Sequence, residues 1–304
     1  MKRNAPLGVS TLLCGPGVPS ASLRALKEIG FDCVELLGEP GLCDLADREL
    51  VKKVARSLRR AGLRVSSIHS RLTPGDLSSP DAEQRRLQMT FVAQALEAAD
   101  RVEAPIIVVH PSLHFHEPVS RQQRYRILGG SLAELSAQAE RRGARLAVEN
   151  MLPAHLCDDL HEQARFLRKL DLPSVGACFD SGHAQVCGQI AEMQVIAPFI
   201  LSIHLHDNHG QSDEHLVPFG GDVDWEAVCA ALARAEGAKA LMLEIDSVPN
   251  AATLGLEAAR RLRSMVGRAR RVARLAAPAS VGGAPDERRE DASDKRARRR
   301  TARV

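Results

Sequence analysis

Six short apolar segments of the sequence end on a histidine or a carboxylate, and these end residues are the first candidates for chemistry. An ionisable side chain at the end of a buried strand has no structural use, and leaving it desolvated and unpaired is costly. If the six segments are strands that point the same way, their ends converge on one pocket with the layout of a metal site. The segments are Val65–His69, Ile106–His110, Leu146–Glu149, Gly176–Asp180, Leu201–His206 and Leu241–Glu244.

The elements that must position these residues are helices and strands in alternation, usually separated by a glycine or a proline. With Leu7–Leu13 as the first strand, the pattern predicts eight strands and eight helices, which implies parallel βαβ units. Eight units predict a single closed (β/α)8 TIM barrel, an α/β fold whose active site lies at the carboxyl ends of the strands. A doubly wound open sheet is the alternative, but Cys14–Gly17 is not a G-x-G-x-x-G phosphate loop. The later helices are predicted at His155–Leu170, His183–Ile196 and Thr253–Met265.

The basic residues of the chain are unevenly distributed. The whole sequence of 304 residues carries a net charge of +3, but twelve basic and five acidic residues lie from Arg268 onward, so Met1–Gly267 carries −4. We expect the barrel to occupy residues 1–276 and an Arg-rich tail at 277–304 to be disordered, since the tail lacks periodicity. Contact with nucleic acid is therefore not expected, except through the basic tail.

The composition indicates a cytoplasmic protein. No secretory segment is recognisable at the N-terminus, and no apolar run approaches the roughly 20 residues that span a bilayer, so we expect no membrane partner. The seven cysteines are scattered and show no C-x-x-C pair, which is typical of reduced thiols. The pattern leaves assembly into a homo-oligomer open.

Four of the candidate residues end the fifth to eighth predicted strands in succession. They are Glu149, Asp180, His204 and Glu244. Three carboxylates and one imidazole suit Mn²⁺, Mg²⁺, Co²⁺ or Zn²⁺ rather than thiolate-bound metals. Carboxylates this close would raise each other's pKa values unless a cation neutralised them, so we predict a divalent-metal site.

Several motifs resemble the xylose isomerase-like TIM-barrel superfamily, which contains sugar and sugar-phosphate isomerases, epimerases and endonuclease IV. The likeness spans about Leu7 to Met265. It is carried by Val148–Asn150, Cys178–His183, Ile203–Asn208, Asp213–His215 and Pro218–Trp225.

The resemblance implies a role for each of the main candidates. By similarity to the ketose epimerases, one divalent metal held by Glu149, Asp180, His204 and Glu244 polarises the substrate carbonyl. The two glutamates shuttle a proton at the neighbouring carbon, and His183 binds substrate oxygens.

The resemblance to endonuclease IV implies more ligands. That enzyme holds three zinc ions with nine residues, and this chain has the right residue type at all nine positions. Besides the four named above they are His69, His110, His183, Asp213 and His215, which bind either additional metal or substrate. Against this alternative stand the acidic body and an aromatic content of only 3%, since a DNA-binding enzyme needs a basic face and side chains that hold a flipped base.

Further candidates surround this set. Glu35 ends the second strand and either hydrogen-bonds substrate or pairs with His69. His206 shares the inward face with His204 and is expected to support ligands or substrate rather than bind metal itself. Asp207 and Asn208 are candidates for orienting a ligand histidine.

The sequence therefore favours a metal-dependent isomerase or epimerase acting on a sugar, sugar phosphate or polyol, with a small-molecule carbohydrate as its partner. A zinc-dependent endonuclease that cleaves abasic DNA is the second hypothesis. A barrel that binds a sugar-like ligand without turnover is the third.

Overall fold

The structure, a computed structural model, describes residues 5–113, 119–238 and 240–276. The predicted disordered tail at 277–304 lies outside the described residues, as do His114 and His116, which the sequence places in a loop above the mouth. The strands are β1 Leu7–Ser10, β2 Cys33–Leu37, β3 Arg64–His69, β4 Ile106–Val109, β5 Arg145–Glu149, β6 Val175–Asp180, β7 Ile200–His204 and β8 Leu241–Leu243. The α-helices are α1 Ser20–Ile29, α2 Arg48–Ala61, α3 Ala82–Val102, α4 Arg121–Arg141, α5 Leu160–Leu170, α6 Ser181–Val186, α7 Trp225–Leu232 and α8 Ala251–Ala276.

The strands form a parallel barrel, which confirms the predicted fold. Each strand from β1 to β6 pairs with the next one, and β1 also pairs with β8. Hydrogen bonds just beyond β7 bring its end against β8, since Leu205 N donates to the Met242 carbonyl at 2.8 Å and Glu244 N donates to the Leu205 carbonyl at 3.3 Å. All eight strands therefore end at one mouth, where the candidate residues lie.

Helix α2 shows how the sequence sets the outer layer. Asp47 caps its N-terminus by accepting hydrogen bonds from Glu49 N and Leu50 N, and the helix ends at Gly62, whose φ of 70° favours glycine. Between these ends an apolar stripe that includes Val54 and Leu58 is buried against the barrel, while charged residues face outward.

Two predicted boundaries and one predicted exposure are wrong. The first strand ends at Ser10, whose hydroxyl accepts from Leu12 N and opens a 3-10 turn at Thr11–Cys14. The helix predicted from His155 begins at Leu160, because Asp159 is its N-cap. His155 was expected to be exposed on that helix, but it lies in the preceding loop and is buried.

The other two predicted helices also differ in length. The helix predicted at His183–Ile196 is broken into α6 and the 3-10 turn Ile190–Val195, with Gly188 at a positive φ between them. A second 3-10 turn, Ala197–Phe199, follows the predicted end. The last helix runs to Ala276, eleven residues beyond its predicted end at Met265. Within the described residues, none of the helices has both the length and the apolar character that crossing a membrane requires.

Candidate metal centre at the barrel mouth

Four ligand-type side chains lie together at the carboxyl ends of adjacent strands. Glu149, Asp180 and His204 are the last residues of β5, β6 and β7, and Glu244 directly follows β8. Strand register aligns Asp180 with His204. Asn150 also joins β5 to β6, because its amide accepts from Asp180 N at 2.7 Å and donates to the Asp180 carbonyl at 2.9 Å. The backbone thus sets the position of these side chains along the barrel axis without the help of a ligand.

The three carboxylates converge on the Nδ1 atom of His204. Glu149 Oε1 lies 2.7 Å from this nitrogen, Glu244 Oε2 lies 2.9 Å from it and Asp180 Oδ2 lies 3.7 Å from it. One ligand atom of each residue lies within 4.8 Å of all the others, and all four residues are buried. Three carboxylate oxygens and one imidazole nitrogen at such spacing fit a hard or borderline divalent cation.

Protonated histidine supplies the positive charge that balances these carboxylates. Burial by itself would raise the pKa of Glu149 and Glu244, but the neighbouring His204 outweighs burial and holds the pKa of both carboxyl groups below the usual range. Burial would likewise lower the pKa of His204, yet the surrounding acidic groups hold it well above its usual value. A divalent cation would take over this balancing charge and displace the proton.

Glu35 lies behind His204 rather than at the substrate side of the site. Its Oε1 atom is 2.9 Å from His204 Nε2, and its other oxygen accepts from Ser67 Oγ at 2.6 Å. The carboxylate is fully buried. Within the described residues Glu35 forms no ion pair with His69, and its contact with substrate stays a prediction. Glu35 lies against the Nε2 edge of the His204 ring, whose Nδ1 faces the other carboxylates, which is the place that a carboxylate takes behind a metal-binding histidine.

A second cluster shares Glu149. Its Oε2 atom lies 3.1 Å from Nε2 of His69 and 3.1 Å from Nε2 of His110. His69 donates from Nδ1 to the Ser70 carbonyl at 2.9 Å, which leaves Nε2 facing the carboxylate. Burial opposes protonation of both rings. The hydrogen bond to Glu149 nevertheless raises the pKa of His69 to about 9. In His110 burial outweighs the same carboxylate and keeps the pKa below its usual value.

A third cluster surrounds Asp213. Its Oδ2 atom lies 3.1 Å from His215 Nε2 and 3.3 Å from His183 Nε2, and its Oδ1 atom lies 3.7 Å from His206 Nε2. Both His183 and His215 donate from Nδ1 to backbone carbonyls, of Asn150 and Glu244 respectively. The ring of His206 stacks on that of His215 with centroids 4.2 Å apart. The structure thus brings together all nine ligand-type residues singled out in the sequence, and His206 lies beside them as a tenth.

The residue that holds the third cluster in place is Asp207. Its buried carboxylate accepts hydrogen bonds from the backbone N–H groups of Phe219 and Val223 and from the indole N–H of Trp225. The expectation that Asp207 orients a ligand histidine directly is wrong; it anchors the loop that carries Asp213. The only feature of the sequence that pointed to this anchoring role was an acidic residue just past the end of a strand, with the single tryptophan of the chain further on.

The comparisons with known proteins agree with this fold. Residues 23–265 match the family model described as xylose isomerase-like TIM barrel, so the chain belongs to that family. An uncharacterized protein of Sinorhizobium fredii is 26% identical over 237 residues, which cover 70% of this chain and 76% of the relative.

Two solved structures illustrate the shared fold. The crystal structure of a D-tagatose 3-epimerase-like protein has a TM-score of 0.76 and 22% identity, with coverage of 86% of this chain and 98% of the other. The 3-keto-D-glucoside 4-epimerase of E. coli has a TM-score of 0.71 and 20% identity, with coverage of 86% and 100%. At these identities the likeness establishes the fold alone.

Proposed function

We propose that the protein is a divalent-metal-dependent isomerase or epimerase that acts on a sugar, sugar phosphate or polyol. The observation that carries the proposal is the convergence of Glu149, Asp180, His204 and Glu244 within 4.8 Å at the buried barrel mouth. Of the two structural neighbours named above, one is a sugar epimerase and the other is described as similar to a sugar epimerase, which supports the same class of reaction.

In this proposal Glu149 and Glu244 bind the metal and also exchange a proton with the substrate carbon. A bound divalent cation supplies Lewis acidity that polarises a carbonyl and its neighbouring hydroxyl. Both glutamates are held in the ionised form by their depressed pKa values, so one of them can accept the proton. His183 lies at the same mouth, and because its Nδ1 donates to the Asn150 carbonyl, its Nε2–H is the group that it offers to a substrate oxygen. Burial of Glu149, Glu244 and His183 excludes bulk water.

Proton exchange with solvent provides a test that does not require the natural substrate. The protein is loaded in turn with Mn²⁺, Mg²⁺, Co²⁺ and Zn²⁺ and incubated in D₂O with a panel of ketoses and ketose phosphates. Deuterium at the carbon next to the carbonyl is then measured by mass spectrometry. We expect Glu149→Gln and Glu244→Gln each to abolish exchange while the circular dichroism spectrum is kept. Glu97→Gln on the exposed face of α3 is the matched control. Exchange at the wild-type rate in either site variant would refute the proposal.

A zinc-dependent endonuclease for abasic DNA is the second candidate, and the two extra clusters favour it. His69 and His110 share Glu149, and Asp213 gathers histidines of its own, so the mouth offers ligands for more than one ion. The acidic charge of Met1–Gly267 and the low aromatic content argue against DNA as the partner. Elemental analysis separates the candidates: about three zinc ions per chain with nicking of abasic DNA supports the endonuclease, and one ion without nicking supports the isomerase. Metal binding with neither activity would support the third hypothesis, a sugar-binding barrel.

A further inference from the structure

A second cavity lies at the opposite end of the barrel. It has a volume of about 1260 Å³ and is lined by the first residues of strands, such as Cys33 and Ile106, and by the last turns of helices, such as Leu58 and Val102. The mouth with the candidate metal centre lies at the other end of these strands, about 13 Å away along the four-residue rise from Ile106 to His110. The two sites are therefore separate.

The walls of this cavity are apolar. Leu63, Val65 and Leu201 line it together with Ala238 and Ala240, so apolar residues at and just before the starts of several strands form an apolar floor. An open volume above the usual range for drug-sized ligands, at the barrel end where side chains normally close the core, has the character of a ligand site.

The rim of the cavity is cationic. Five arginines line it against the two carboxylates of Glu103 and Glu236. The arginines are Arg59, Arg64, Arg101, Arg145 and Arg270.

Neutralising the helix dipoles does not account for all of these arginines. Arg59 and Arg101 lie in the last turns of α2 and α3, where a cation offsets the negative end of a helix. Arg64 and Arg145, however, are the first residues of β3 and β5. Within the described parts of the chain, the guanidinium groups of Arg59 and Arg64 have neither an ion pair nor a hydrogen bond.

Helix α8 closes one side of the cavity. Its 26 residues span about 39 Å, which is longer than any other helix of the barrel. Arg270 donates to the Ala233 carbonyl at 3.0 Å and ties this far end to the segment after α7. Arg270 and Ala273 thereby complete the wall, so the cavity combines an apolar floor with a cationic edge on one side of the barrel.

We propose that this cavity binds an anionic amphiphile, whose apolar chain lies on the barrel floor and whose carboxylate or phosphate head is held by Arg59 and Arg64. Both parts of the ligand match the lining: a small inorganic anion leaves the apolar floor uncovered, and an uncharged chain makes no ion pair with the two exposed arginines. The site is independent of the proposed activity because it lies at the opposite end of the strands.

Calorimetric titration of the full chain with sodium dodecanoate, below its micelle concentration, tests the proposal. We expect one saturable site per chain, with sodium acetate and 1-decanol each binding at least about tenfold more weakly, a difference of about 1.4 kcal/mol. The double variant Arg59→Glu/Arg64→Glu should weaken dodecanoate binding by at least about tenfold. Lys53→Glu/Arg56→Glu makes the same change of charge on the exposed face of α2, outside this cavity, and should bind as the wild type does.

Three results would overturn the proposal. They are the absence of saturable dodecanoate binding, an equal loss in both double variants, and binding of acetate as tight as that of dodecanoate. A further variant, Ala273→Trp, fills the cavity from an exposed position, so it should keep the thermal melting temperature while it weakens binding. Undiminished binding in this folded variant would place the ligand elsewhere and would also refute the site.

Discussion

Replacing Asp207 by asparagine should lower the free energy of unfolding by about 2 to 6 kcal/mol. Oδ1 accepts from the N–H groups of Asn208 and Val223, and Oδ2 accepts from Phe219 N and from Trp225 Nε1, at 2.8 to 3.0 Å. Asparagine keeps one acceptor oxygen and turns an NH₂ group toward the other two donors. Two buried donors then lose their partner, and each loss costs about 1 to 3 kcal/mol.

Urea unfolding followed by circular dichroism measures this loss, and the single tryptophan reports it locally. Because Trp225 donates to Asp207, its emission should shift to longer wavelength in Asp207→Asn before global unfolding. Asp224→Asn is the matched control: one oxygen of Asp224 accepts from both Glu226 N and Ala227 N, so asparagine can keep both bonds, and the change should stay within about 0.5 kcal/mol. A loss below about 1 kcal/mol in Asp207→Asn would refute the anchoring role.

Three further predictions concern the buried polar groups around the mouth. Since the pKa of His69 is raised from 6.5 to about 9, its stabilising contribution is complete below about pH 6.5 and is lost as the pH rises through about 9. Thermal melting of the metal-free protein should show this loss of stability. A His69→Gln variant with the same pH profile as the wild type would contradict the prediction. Asp76→Ala should cost about 3 to 5 kcal/mol by denaturant unfolding, because it leaves the buried Arg124 guanidinium without its carboxylate; strict additivity with Arg124→Met would contradict this coupling. Gly182→Ala should lower the melting temperature, because its Cβ would lie 1.9 Å from the His206 ring, and calorimetry showing no change would disprove that contact.

Much of the site could be predicted from the sequence because strand ends are marked by local pattern. Glu149, Asp180 and His204 each close an apolar segment, and the alternation with helices makes the segments parallel. Parallel strands of a barrel end at the same mouth, so residues far apart in the chain were expected together and are found together.

The partners of individual side chains could not be predicted in the same way. The sequence predicts Glu35 at the end of the second strand, which is wrong, because β2 runs from Cys33 to Leu37 and Glu35 is its middle residue. Its position behind His204 depends on the stagger of β2 against β7 across the barrel. Asp207 looked like a neighbour of ligand histidines, whereas its oxygens turn toward the backbone of a later loop. Helix limits failed where a cap or a glycine intervened, as at Asp159 and Gly188.

By itself the sequence determined the residue types, the alternation of inward-facing and outward-facing side chains along each strand, and the order of the elements. Together these fix the fold and the end of the barrel that carries the ligands. Only the tertiary structure decided that Glu149 is shared between two clusters, that Asp213 gathers three histidines, and that the far end of α8 completes an apolar cavity with a cationic edge. The physical reason is that the alternation of side chains along a strand sets which residues face inward. The distances between side chains are set by strand register, barrel closure and rotamers, and these arise from contacts between distant parts of the chain.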